Sequence, residues 1–118
     1  MRRISFIPWL FVSLTLELIL HTPHGFTIET PLEGAEAYYN RGNTYFSKGE
    51  YDRAILDYNK ALEINPMDAD AYNFRAATYY HKGEYGKAWE DVHKAQGLGY
   101  QVHPGFLEDL RQASGRQR

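Results

Sequence analysis

Residues 35–61, AEAYYNRGNTYFSKGEYDRAILDYNKA, return 34 residues later at 69–95 as ADAYNFRAATYYHKGEYGKAWEDVHKA, with 14 of 27 positions identical. A fixed period of roughly 20 to 50 residues marks supersecondary units that stack, because one unit alone cannot bury its apolar face. The repeated content is Ala, Gly and Tyr at helical spacing. Nothing in it resembles a cluster of acids, bases or metal ligands. The repeat therefore argues for a packing unit and a surface, and against an active site.

Each copy reads as two helices. Tyr38, Arg41, Gly42 and Tyr45 fall at i, i+3, i+4 and i+7, which is one helical face. Gly49 and Gly83 stand where a helix should end in a left-handed residue. The second helix resumes at Tyr51 and Tyr85, with Ala54, Tyr58, Ala61 and Leu62 as its apolar stripe. Asn65-Pro66 stops it, since proline lacks a donor and disfavours helix in the residue before it. Asp68 is placed to cap the next helix. Gly42, Ala54 and Ala61 let the two helices approach closely, with Tyr45 and Tyr51 expected to fill the space around the contact. A bulky residue at Ala54 should overpack this seam at about 1 to 3 kcal/mol. Arg53, Asp57 and Lys60 recur as Lys87, Asp91 and Lys94, which reads as a wet outer face of intrahelical charge pairs.

The 118 residues allow one small domain, and the start of the chain stands apart from it. Met1, Arg2 and Arg3 precede an uncharged apolar run from Ile4 to Leu16, interrupted by Glu17. That layout fits a signal peptide or signal anchor over residues 1–20 and an extracytoplasmic or membrane-anchored protein. The alternatives are a buried start without a targeting role and a cytoplasmic chain. Residues 21–34 read as a linker, and 103–118 as a closing helix and tail. The net charge of −2, with both signs interspersed, gives no footprint for nucleic acid. The absence of cysteine excludes disulfides and thiolate metal sites.

Tyr38, Gly42, Tyr45, Ala54, Tyr58, Ala61 and Pro66 resemble the tetratricopeptide repeat pattern at its signature spacing. The second copy supplies Tyr72, Ala76, Tyr79, Ala88, Val92 and Ala95, then departs where Tyr100 replaces the proline. The repeats are thus placed at 35–68 and 69–102. The ending KAQGLGYQVHPGFLEDLRQASGR resembles the close of small bacterial proteins with such repeats. In it, Phe106, Leu107 and Leu110 form the stripe of a helix that would cover the last repeat. The implied fold is all-α: two antiparallel hairpins of a superhelix and a capping helix.

The resemblance implies a module that binds a protein or peptide in a groove lined by the first helix of each pair. Carried onto this chain, the groove residues are Tyr39, Asn40, Asn43 and Phe46, then Asn73, Phe74, Ala77, Tyr80 and His81, with Glu36, Ser47 and Asp70 at the margin. Asn side chains can hold a peptide backbone, and aromatic rings give rigid contact area. The carboxylate clamp of chaperone-binding members is not present, because only Asn43 matches while Tyr39 and Phe74 occupy other clamp positions. The rival reading is a self-assembling homo-oligomer. No enzymatic activity and no cofactor are expected. His21 and His24 lack a third ligand, and His81, His93 and His103 stand apart in no catalytic arrangement. Gly97, Gly99 and Gly105 look like turn residues, and no phosphate-binding loop is present.

Overall fold

The computed structural model describes residues 31–115, and the expected targeting segment lies outside them. Five helices follow in order: α1 (Pro31–Ser47), α2 (Tyr51–Ile64), α3 (Ala69–His81), α4 (Tyr85–Gly97) and α5 (Pro104–Ser114). No strand occurs among the described residues. α1 pairs with α2 and α3 with α4. α3 then packs on α2, α5 on α4, and α1 touches α3. α1 begins ahead of the repeat, so residues 31–34, read as linker, form its first turn.

The same turn chemistry closes α1, α3 and α4. Gly49, Gly83 and Gly99 adopt positive φ of 74°, 78° and 89°. The next residue's N–H reaches back five positions, as in Glu50 to the Tyr45 carbonyl and Glu84 to that of Tyr79, both at 2.9 Å. This is the Schellman ending, which satisfies carbonyls a helix terminus would otherwise orphan. α2 stops at Asn65-Pro66 as expected. The Asp68 carboxylate then accepts from the Ala71 N–H at 3.1 Å and caps α3. Gly105 is not a turn residue. It lies in the first turn of α5, where its N–H donates to His103 Nδ1 at 3.1 Å.

Small residues make the seams. Ala54, Tyr58 and Ala61 of α2 are fully buried, as are Ala76, Ala88, Val92 and Ala95 of the second hairpin. A Cβ on Gly42 would lie 2.7 Å from Cε1 of Tyr58. The ring that fills the first seam is therefore Tyr58, not Tyr45 or Tyr51. Tyr45 instead lies under the Arg53 guanidinium, 5.6 Å from its ring centre. Leu110 of α5 is fully buried on the second hairpin, with Phe106 and Leu107 half-buried beside it. Trp89 Nε1 donates to Ser114 Oγ at 2.8 Å and ties α5 to α4. The closing helix thus covers the last repeat.

The repeated charges divide differently from the sequence expectation. Asp57 and Asp91 turn inward and are only 5% and 4% exposed. Each receives a two-pronged guanidinium from the first helix of its hairpin. Arg41 donates Nε and Nη2 to Asp57 at 2.7 and 2.8 Å. Arg75 donates the same pair to Asp91, both at 2.7 Å. These bidentate bonds fix hairpin geometry, which intrahelical pairs cannot do. Arg53, Lys60 and Lys87 do form the wet outer pairs, with Glu50, Glu63 and Glu84. Lys82 and Lys87 together hold the Glu84 carboxyl down to about 2.

Candidate functional site

One aromatic row crosses the face made by α1, α3 and α5. Tyr39 of α1 meets Phe74 of α3 edge-on, with ring centres 5.7 Å apart. Phe74 also contacts Phe46 at 6.5 Å, and Phe46 contacts His81 at 5.5 Å. Tyr80 continues from His81 at 5.5 Å to Phe106 of α5 at 5.7 Å. Helical periodicity puts these side chains on one face of each first helix, and stacking of α1 on α3 brings them into register. Five of the expected groove residues, Tyr39, Phe46, Phe74, Tyr80 and His81, thus meet in the row. Phe106 was read only as cover for the last repeat, yet it extends the row onto α5. Its signal was present in the sequence, because α5 occupies the place of a third first helix.

The polar residues of this face differ in how much of them is free. Asn40 is exposed and Ala77 half-buried, and both border the row. Asn43 Oδ1 already accepts the Tyr58 hydroxyl at 2.7 Å. Burial pushes that phenol well above its ordinary range, so it remains a donor. Asn43 therefore serves the hairpin first. His81 is exposed and stacks on Tyr51 at 5.4 Å with rings nearly parallel, a contact sequence reading missed. Glu36, Ser47 and Asp70 are exposed at the margin.

Asn73 stands out from the others. Its Nδ2 makes only a long contact of 3.4 Å to the Tyr100 hydroxyl. Its Oδ1 is buried and has no partner among the described residues. A buried acceptor left unmade costs about 1 to 3 kcal/mol. The residue opens onto a recess of about 700 Å³ lined also by Gln96, Tyr100, Gln101, Val102, His103 and Pro104. That volume is on the scale of sites that enclose several ligand groups. The recess lies where the α4–α5 connection passes the start of α3, so α5 helps build it. Among the described residues no group of three His, Cys, Asp or Glu side chains could hold a metal ion.

Two matches to known families fall on this array. Residues 35–68 match one tetratricopeptide repeat model, and residues 57–90 match a second model of the same description. The array is made of tetratricopeptide repeats. The second match is out of phase with the first, running from within α2 to within α4, so it spans the junction of the two hairpins. No match to a curated protein was found. Tetratricopeptide repeats generally serve as protein–protein interaction modules and are typically non-enzymatic. No described helix is long and apolar enough to cross a membrane.

Proposed function

We propose that the chain is a protein-binding module whose ligand is an extended peptide segment laid across α1, α3 and α5. The observation that carries this reading is Asn73. Its amide lines the open recess and is held only by the long Nδ2 contact to Tyr100. A small turn of the side chain therefore offers an acceptor and a donor to a peptide backbone, which carries the complementary pair at each residue except proline. The adjoining row from Tyr39 to Phe106 offers rigid, half-buried ring surface for apolar side chains of the same segment. Such rings lose little freedom on binding and commonly dominate contact energy. The face has no acid–base pair arranged for chemistry, so recognition is the activity it supports.

Asn73 also makes the reading testable, because its two roles pull in opposite directions. Peptides selected from a random display library against the full chain would be measured on the wild type and on Asn73→Leu. Removing an orphaned polar atom should leave the melting temperature unchanged or higher. Peptide affinity should nevertheless fall about tenfold, the worth of one desolvated hydrogen bond. Selected peptides whose affinity ignores Asn73→Leu, in a folded protein, would place recognition on another surface.

A further inference from the structure

The aromatic rings of the first helices fall into two sets that differ in charge. Tyr38, Tyr45 and Tyr79 stand one residue before Tyr39, Phe46 and Tyr80, about 100° round the helix. Each lies under a cation of the chain itself, as does Tyr72, at 5.4 to 5.9 Å from the ring centre. Among the described residues no cation lies over Tyr39, Phe46, Phe74, Tyr80 or Phe106. The chain's own bases are committed elsewhere. All lysines and arginines of residues 31–115 except Lys48 and Lys94 pair with a carboxylate. Arg41, 58% exposed, is held by Asp57, and Arg75, 19% exposed, by Asp91 and by Asn59 of α2. Lys48 follows the C-terminal end of α1 and Lys94 lies on α4.

The acids are arranged the opposite way. Glu36 of α1 and Asp70 of α3 are exposed at the margin of the row and enter no ion pair among the described residues. Each stands one helical turn before a ring of the row: Glu36 before Tyr39, and Asp70 before Asn73 and Phe74. Tyr39 and Phe74 are the rings that meet edge-on across α1 and α3. Burial and, after it, the Asp70 and Asp68 carboxylates raise the Tyr39 phenol, so acids at the start of α3 act on a ring of α1. The helix dipole gives a reason for Asp70, in the first turn of α3, but not for Glu36, which lies in the second turn of α1. Two exposed acids alone would be a solvated edge. The bare rings beside them and the under-bonded Asn73 amide one turn on make them part of a receptor. Taking the peptide groove as given, we propose that the segment it binds is basic, with an arginine or lysine side chain laid over Tyr39 and Phe74 and its charge set between Glu36 and Asp70. The ring faces then gain the cation that their neighbours already have. An acidic segment would meet uncompensated carboxylates instead.

Peptides selected from the random display library against the full chain supply the probe. The pool should be enriched in arginine or lysine, and the affinities of the peptides would be read by fluorescence anisotropy at low salt. Asp70→Asn should weaken binding about fivefold, and Glu36→Gln combined with it about tenfold, with helical circular dichroism checking the fold. Glu90→Gln makes the same change of charge at an exposed position of α4 and should weaken binding less than twofold. Replacing the peptide's arginine by citrulline, or its lysine by acetyl-lysine, should remove the sensitivity to Asp70→Asn, and the arm that does so names the basic residue. A pool without excess basic residues that still loses affinity on Asn73→Leu would keep the groove and overturn its preference for a basic segment. Equal losses on Asp70→Asn and Glu90→Gln would reduce the effect to net charge and overturn it as well. A pool indifferent to Asn73→Leu and to both acids sinks the groove and its basic ligand together.

Discussion

At Gly42 the structure leaves no room for a side chain, because Tyr58 occupies the space and cannot step aside. Its ring is fully buried, and its hydroxyl is held by Asn43 at 2.7 Å. The second hairpin solves the same packing problem with the opposite sizes, Ala76 against Val92. Glycine with tyrosine and alanine with valine are thus two complementary fillings of one seam. Gly42→Ala alone should destabilise by about 1 to 3 kcal/mol through overpacking. Tyr58→Val alone should destabilise by leaving a cavity. Combined, they recreate the pair of the second hairpin, so the double variant should lose clearly less than the sum of the two, with a coupling of about 1 kcal/mol or more. Denaturant melts of the four proteins test this, and strict additivity would show that the two side chains do not compete for one space.

At the level of helices, each first helix also sends an arginine into an aspartate of the second, which fixes the geometry of the hairpin. Much of the architecture was legible in the sequence. The period gave the hairpins, Gly49 and Gly83 their turns, Asp68 its cap and the alanines their seams. The ion pairs were not legible, because i+3 and i+4 counting sees one helix at a time and the partners lie 16 residues apart. The signal available was the joint recurrence of Arg41 with Asp57 and of Arg75 with Asp91. The candidate site was legible as a face but not as a set of roles, since Asn43 alone gives no sign that Tyr58 claims it. The pairs also differ in a way that only packing reveals. Loss of the carboxylate leaves Arg75 stranded under α2, while Arg41 can turn to water. Asp91→Asn should therefore cost about 3 kcal/mol, and Asp57→Asn about 1 kcal/mol or less. Chemical denaturation measures both, and equal losses would mean that exposure of the arginine does not set the cost.

The whole array is a row in which each helix rests mainly on its sequence neighbours, so stability and binding both depend on how the ends are finished. Five helices bury a small core, and the terminal contacts carry an unusual share of it. Leu110 is the fully buried side chain of α5, set among Ala76, Ala88, Val92, Ala95 and Val102. Leu110→Ala should cost about 2 to 5 kcal/mol at that end. Amide hydrogen exchange should then show the loss unevenly, with protection falling first in α4 and α5 and least in the α1–α2 hairpin. A uniform fall along the chain would make the array one cooperative block rather than a row of coupled units. The same substitution should weaken peptide capture, although Leu110 does not belong to the aromatic row. Loosening α5 withdraws Phe106 from Tyr80 and unmakes the recess beside Asn73. Affinity retained with α5 unprotected would confine recognition to α1 and α3, and the closing helix would then serve the core alone.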